Sequence, residues 1–384
     1  ALSETFVVGH VAAMAERGWR VAVCCAELDE EALAAQPSVT ADLEDVTVLG
    51  EEVTAPGGLE LARRAVGERQ WRAPRSGVAR HVARLAPALR RVVAALRPAH
   101  VHAHIGPNAA PAAQALGGAG PPLLADLHGF DLTEVPASEG WGAYRRLLGD
   151  ATVVVHSGYA ARLVASGLGV EPVLVPYDTS PAFRPVGRSD HWTAPLRLLF
   201  VGRLVPQKGA DLAVEALARL HARQPHLDAR LTVVGQGPAE RDVRRRADRE
   251  GVGDRVSFVG PRAHEGVARV MADHDVLLVP SRPSPSGWVE ALGLVAVEGT
   301  RSGMGVVASR SGGLPEAVGD TGVLVAPDDA EALASGIETL LDRSSPASLV
   351  ASAEAASRTP SGDHHDRPAR ELPAASDSGG AGTA

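Results

Sequence analysis

From Leu196 to Asp342, short apolar runs alternate with longer amphipathic stretches. LRLLFVG, LTVVG, RVSFVG, DVLLVPS, GVVAS and TGVLVAP are dense in Val and Leu and close on Gly, Pro or Ser, the pattern of strands buried on both faces. Between them, stretches such as ADLAVEALARL place apolar residues three and four apart and predict helices, that one starting near Ala210. The first half repeats the rhythm: a helix capped by Ser3 with Phe6, Val7, Val11 and Met14 on its apolar face, a strand from Trp19 to Cys25, then AHVHAHIG, PPLLADLHG and ATVVVHS as strands. Alternating strand and helix predicts an α/β fold of parallel sheets, whose ligands sit at the carboxyl ends of the strands.

A chain that opens on a helix and then a strand lacks the first strand such a sheet normally has, so an N-terminally truncated domain is expected. Pro176, Pro181 and Pro185, followed by GRSDHWTAP, interrupt any regular element. The expected organisation is a first domain over 1–185, a linker at 186–195, a second domain over 196–343 and a tail over 344–384. The tail is rich in Ser, Ala, Pro and Gly and is expected to be disordered or aberrant.

Candidate chemistry concentrates in the second domain. The stretch PSRPSPSGWVEALGLVAVEGTRSGMGVVASRSGGLPE carries Glu290 and Glu298 eight residues apart. On an unbroken helix eight steps would leave them about 80° and roughly 12 Å apart. Gly293 argues against an unbroken helix, so Glu290 is placed on a loop and Glu298 one turn into a helix starting near Leu294. The N-H groups of Gly293, Leu294 and Val295 then open the helix, where an anion is favoured. Ionised carboxylates beside them suit a ligand rich in hydroxyls, each accepting more than one. The alternative is that both are solvated surface charges.

Composition narrows the partners. The net charge of -8 argues against a nucleic-acid binder, and no apolar run is long enough to span a membrane. Cys24 and Cys25 are adjacent and read as small core residues. Of 38 Lys and Arg, only Lys208 is Lys; with Arg203 it lies in the loop between LRLLFVG and its helix, a strand, phosphate loop and helix arrangement that is neither a Walker motif nor a dinucleotide fingerprint. From Leu61 to Arg97 ten arginines are opposed by Glu68 alone, and Val82, Leu85, Leu89, Val92, Val93 and Leu96 form a helical apolar stripe. The segment 61–97 is thus a candidate for peripheral contact with an anionic membrane surface, or else the solvated outer face of the first domain. His102 and His104 point the same way from one strand, but a third ligand at a suitable spacing is missing, so no metal site is assigned.

Glu290-x7-Glu298, followed by S-G-x-x-V-V-A-S and G-G-x-P-E, resembles the C-terminal domain of the family 4 retaining glycosyltransferases, of exopolysaccharide or colanic-acid type. The G-R-x-x-x-x-K-G at Arg203 and Lys208 and the H-G-x-D at His128 and Asp131 are similar to motifs of the same family. The resemblance implies a GT-B fold, two doubly wound Rossmann-like domains facing a cleft, and a cytoplasmic enzyme, at the inner face of the membrane if the basic segment docks there. Its implied reaction moves a sugar from a nucleoside-diphosphate sugar to a hydroxyl of a glycan, lipid-linked or small-molecule acceptor, with retained configuration and neither metal nor other cofactor. Implied roles are diphosphate binding for Arg203, Lys208, Gly293, Leu294 and Val295, ribose binding for Glu298, donor-sugar hydroxyls for Glu290, and the base for Val259, Gly260, Pro261 and Arg262. His128 would contact the donor sugar or position the acceptor, supported by Asp131. Two other classes stay open: a catalytically inactive glycosyltransferase-like partner subunit, and a two-lobed sugar-binding protein.

Overall fold

The computed structural model describes Met14, Ala22–Cys25, Asp45–Val48, 77–177 and 179–358. The helix expected from Ser3, the arginines between 61 and 76 and the tail beyond 358 lie outside the described residues. In chain order the elements are β1 (Ala22–Cys25), β2 (Asp45–Val48), α1 (Gly77–Leu96), β3 (Val101–His104), α2 (Gly106–Leu116), β4 (Leu123–Asp126), α3 (Glu134–Glu139), α4 (Gly142–Leu148), β5 (Thr152–Val155), α5 (Gly158–Leu168) and β6 (Val173–Leu174). There follow β7 (Leu196–Val201), α6 (Ala210–Arg223), β8 (Ala229–Val234), α7 (Glu240–Arg249), β9 (Val256–Gly260), α8 (His264–Ala272), β10 (Val276–Val279), α9 (Leu294–Arg301), β11 (Gly305–Ser309), α10 (Leu314–Val318), β12 (Val323–Val325), α11 (Ala330–Arg343) and α12 (Pro346–Arg358). Two compact units result, one of Ala1–Ala125 with Gly142–Ala151, the other of Asp126–Trp141 with Thr152–Ala384.

In the first unit β1 and β2 pair in parallel. Helix α1 packs on α2, and its apolar stripe is largely used there: Val82, Leu85 and Val92 are buried while Leu96 stays exposed. Arg90 donates to the carbonyls of Gln114 and Ala115, whereas Arg80, Arg84, Arg91 and Arg97 face solvent.

The second unit is built on a six-stranded sheet of order β12-β11-β10-β7-β8-β9, with every pairing parallel. Alternate side chains along β7 show why both faces are covered: Leu198 and Phe200 join one cluster with Val214, Leu217 and Ile337, while Leu199 joins another with Met271, Leu277 and Ala296. The chain runs β7-β8-β9 outward on one side and restarts with β10 on the other side of β7. That reversal is a topological switch point, and the loops after β7 and β10 open side by side beyond it.

The expectation of an irregular tail from Ser344 is corrected over Pro346–Arg358, which forms α12. Ser345 and Ser348 exchange backbone-to-hydroxyl hydrogen bonds at 3.0 and 3.2 Å around Pro346, a reciprocal start for a helix. Leu349 and Ala353, four apart, are buried, as is Pro346 at the helix start, a stripe too thin to register against the Ser and Ala around it. In the expected linker, Trp192 donates its indole N-H to the carbonyl of Ser344 at 2.8 Å. Among the described residues no helix is long and apolar enough to cross a membrane.

Candidate active site

The loop leaving β7 is short. After Arg203, a 3-10 turn over Pro206–Lys208 leads through Gly209, φ +74°, straight into α6. Two bonds from one residue beyond β10 hold this turn: Arg282 donates its backbone N-H to the carbonyl of Gln207 (2.9 Å) and its Nε to that of Pro206 (2.8 Å), while its guanidinium pairs with Asp211 and Asp328 on either side. Burial would lower the Arg282 pKa, but the hydrogen bonds and charges of Asp211 and Asp328 raise it above the usual value. Sequence reasoning missed Arg282; its one signal was a cation just past a strand end.

Lys208 is thereby aimed at the loop after β10. Its Nζ lies 2.5 Å from Oε2 of Glu290 and 5.2 Å from the centre of the Trp288 ring. Ser281 donates to the same Glu290 oxygen at 3.2 Å. The lysine and glutamate side chains are 22% and 13% exposed, enough for a ligand to reach but too little for water to screen the pair fully. Arg203 is exposed and, among the described residues, makes no ion pair.

Glu290 sits on the loop and Glu298 in α9, as the sequence predicts. The Ser311-Gly312-Gly313 turn holds Glu290 from behind, the Gly313 N-H donating to its carbonyl at 2.9 Å. A Cβ on Gly312, where φ is +57°, would collide with that carbonyl. Gly312→Ala should therefore lower stability by about 2 kcal/mol or more, against about 1 kcal/mol for Gly169→Ala, which has similar φ but open space. Equal shifts in the urea midpoints of the two variants would argue against this packing.

Gly293, with φ +84°, begins α9 without a side-chain cap, leaving Leu294 and Val295 as its first N-H groups. Glu298, one turn in, is only 14% exposed, and burial pushes its pKa up to about 8. His264 Nδ1 lies 3.8 Å away, and burial lowers the pKa of that imidazole, so the pair meets neutral to neutral near pH 7. The base-loop candidates lie at the end of β9, where the register with β8 shifts: Val233 faces Phe258 and Val234 faces Gly260, making Val259 the extra residue of a bulge. Gly260 follows with φ +71°, and Pro261 and Arg262 are exposed.

His128 and Asp131 belong to the turn after β4. Asp131 is fully buried, and its carboxylate accepts the backbone N-H groups of Gly129 (2.6 Å) and His128 (3.2 Å). Closed off from solvent, Asp131 meets no ligand directly and holds the turn that carries His128. The structure also brings in neighbours that the sequence did not single out. Asp126 accepts from His156 at 2.7 Å, and Tyr177 stands edge-on to that imidazole at 5.1 Å. Burial first, then the charges of Asp126 and Glu298, keep the Tyr177 phenol neutral far into alkaline pH. Ser157 donates to the carbonyl of Ala291 at 2.7 Å, and Glu316 accepts from the Gly158 N-H at 2.6 Å and pairs with Arg162 at 3.2 Å. These bonds tie the start of α5 to the loop bearing Glu290 and to α10. Among the described residues, the ligand atoms of Asp126, His128 and His156 lie within 4.8 Å of one another, with the Asp126–His156 hydrogen bond spanning the group.

A Rossmann-ordered sheet with a cation loop and paired glutamates at its switch point defines the class: the C-terminal half of a GT-B glycosyltransferase. Comparison agrees along the chain. Residues 3–176 match the model described as Glycosyltransferase Family 4, and residues 195–343 match that described as Glycosyl transferases group 1. A solved structure of HepE from Anabaena in complex with UDP aligns with TM-score 0.69 and 18% identity over 94% of this chain and 95% of that one. WaaG, a glycosyltransferase involved in lipopolysaccharide biosynthesis, aligns at 0.62 and 19% identity over 96% and 94%. Among curated proteins, a GDP-mannose-dependent alpha-(1-6)-phosphatidylinositol monomannoside mannosyltransferase of Mycolicibacterium smegmatis is 33% identical over 233 residues, 57% of this chain and 60% of the relative. A D-inositol 3-phosphate glycosyltransferase of Pseudarthrobacter chlorophenolicus is 34% identical over 215 residues, 52% of this chain and 50% of the relative. The matches thus span about half of each curated relative's length. The chain belongs to the family 4 glycosyltransferases and has their GT-B fold of two Rossmann-like domains.

Proposed function

We propose that this protein is a retaining hexosyltransferase that moves a sugar from a nucleoside-diphosphate sugar to a hydroxyl of a glycan, lipid-linked or small-molecule acceptor. The observation that carries the reading is the Lys208–Glu290 pair at the switch point, with Glu298 one turn into the adjoining helix. In this reading Arg203, Lys208 and the N-H groups of Gly293, Leu294 and Val295 neutralise the diphosphate, so the reaction needs no metal. Donor binding draws Lys208 from Glu290 toward phosphate and leaves Glu290 to accept hydroxyls of the sugar. Glu298 accepts the ribose hydroxyls. The bulge at Val259, whose backbone falls out of the sheet ladder, takes the base together with Gly260, Pro261 and Arg262. His128 meets the donor sugar or the acceptor, and Asp131 holds its turn. The acceptor oxygen bonds to the anomeric carbon on the face from which the diphosphate leaves, and a departing phosphate oxygen takes the acceptor's proton.

The domains of this reading are 1–185 and 196–343, joined by 186–195. The exposed arginines of α1 supply contact with anionic lipid at the cytoplasmic face, which suits a lipid-linked acceptor. The curated relatives named for GDP-mannose and inositol lipids favour GDP-mannose as the first donor to try, and the neighbours solved with UDP favour a UDP-sugar as the second.

Calorimetric titration of GDP, UDP and ADP into the full chain tests the reading, with Arg203→Ala and Glu298→Ala alongside. The expected result is micromolar binding of one nucleotide, weakened at least tenfold in each variant, about 1.4 kcal/mol. A folded chain that binds none of the three would point instead to an inactive partner subunit.

A further inference from the structure

Strands β4 and β5 end in side chains that meet. The His156 ring is held at both nitrogens: Nδ1 lies 2.8 Å from the carbonyl of Val175 and Nε2 lies 2.7 Å from Oδ1 of Asp126. A carbonyl only accepts, so Nδ1 carries a hydrogen. With an ionised carboxylate at the other nitrogen, Nε2 carries one as well, and the ring cannot turn without losing both bonds. The same Oδ1 lies 3.5 Å from Nε2 of His128, whose ring stacks on that of His156 at 5.2 Å and 18°. One carboxylate oxygen thus serves two parallel imidazoles, one 13% exposed and the other 15%.

This arrangement has a chemical consequence. An ionised oxygen cannot donate, so it selects the His128 tautomer with its hydrogen on Nε2 and makes Nδ1 the basic nitrogen. A contact of 3.5 Å is long for a hydrogen bond, as contacts in a ligand-free site often are before substrate tightens them. Asp131 fixes the backbone of His128, while the ring itself meets the Asp126 carboxylate and stacks on His156, which in turn holds that carboxylate. The groups facing His156 are Asp126, Asp131, His128, Tyr177 and the Val175 carbonyl. Burial pulls the His156 pKa down, but the charge and hydrogen bond of Asp126, the Val175 carbonyl and the charge of Asp131 more than offset it, leaving the value above that of an ordinary histidine.

We propose that His156 is a positioning residue for sugar transfer, acting through Asp126 to fix the tautomer and tilt of the His128 ring. The proposal rests on the reading that His128 meets substrate. It deepens that reading by assigning the hydrogen-bonding edge of the ring: Nδ1 of His128 accepts from a sugar or acceptor hydroxyl.

The test uses the full chain, with His156→Leu, His156→Gln, His128→Ala and the His128→Ala/His156→Leu double variant. His156→Leu should lower kcat roughly 10- to 100-fold, the range for outer partners of a site residue, with the KM for the nucleotide sugar within about twofold. His156→Gln, whose amide still donates to Asp126, should recover most of that loss. The double variant should be no slower than His128→Ala alone, because both changes remove one function. Independently of turnover, the ring nitrogens of 15N-labelled His128 should report the Nε2-H tautomer in the parent and a mixture of tautomers in His156→Leu. Additive losses in the double variant, or unchanged His128 nitrogen shifts, would overturn the proposal. So would activity abolished by a chelator and restored by a divalent cation, since the three side chains would then be ligands to an ion. A folded chain that turns over no donor would fail the transferase reading, while the nitrogen shifts would still decide whether His156 sets the His128 ring.

Discussion

Lys208→Ala should reduce sugar transfer about 100- to 1,000-fold, the usual cost of removing one preorganised group from a developing anion. It should also destabilise the folded chain, for a separate reason. Removing the ammonium leaves the Glu290 carboxylate, 13% exposed, with Ser281 as the one donor among the described residues still on its Oε2. A fully buried pair broken on one side costs about 3–5 kcal/mol, and partial exposure reduces this to roughly 2 kcal/mol here. The two effects separate in Lys208→Met/Glu290→Gln, which removes both charges and keeps the volume. The double variant should regain most of the lost stability, because no unpaired charge remains, yet stay as inactive as the single variant. Urea midpoints and initial rates on the parent and these two variants decide the matter. Activity within threefold of the parent in Lys208→Ala would mean that Arg203 and the α9 N-terminus neutralise the diphosphate without the lysine.

The second large effect is a dependence of stability on pH traced to Glu298. Its pKa stands near 8 in the folded chain against an ordinary 4.5, raised by burial. The folded state therefore holds a proton that the unfolded state releases at lower pH. The stability associated with that proton is fully present below about pH 4.5, declines by about 1.4 kcal/mol per pH unit through the interval, and is lost above about pH 8. Glu298→Gln mimics the protonated form at every pH. It should match the parent at pH 5 and exceed it at pH 8.5, by a margin on the order of 3 kcal/mol. A variant weaker than the parent by the same amount at both pH values would place Glu298 among ordinary solvated carboxylates. Ligand binding supplies a second reading of the same group. Ribose hydroxyls donate to the ionised form, so nucleotide binding near pH 7 should release close to one proton, visible as a buffer-dependent binding enthalpy that Glu298→Gln abolishes.

Much of this could be seen one segment at a time. Arg203 and Lys208 follow an apolar run, Glu290 and Glu298 flank Gly293, and His128 follows another run; in each case local spacing alone places the residue at a strand end or a helix start. Asp131 was visible too, as the support of His128, but the way it gives that support was not, because the sequence does not distinguish a carboxylate that faces a ligand from one turned back on its own backbone. His156 closes ATVVVHS as visibly as His128 follows LADLHG, yet its partner Asp126 lies thirty residues earlier, and that pairing exists only once the strands assemble. Arg282 is a similar case, a cation in a proline-rich stretch whose partners lie 76, 71 and 46 residues away. Helix α12 went unseen because Leu349 and Ala353 by themselves make too weak a periodic signal.

The sequence by itself determined the alternation of strands and helices, the polar ends of those strands and the break in the helix at Gly293, since each depends on side chains within a turn or a strand of one another. The tertiary structure alone decided that β10 lies beside β7, which sets Lys208 against Glu290, 82 positions further along the chain, and that Glu298 is buried deeply enough to keep its proton. Strand order and burial come from packing apolar faces across the whole sheet, a long-range balance that no local pattern encodes.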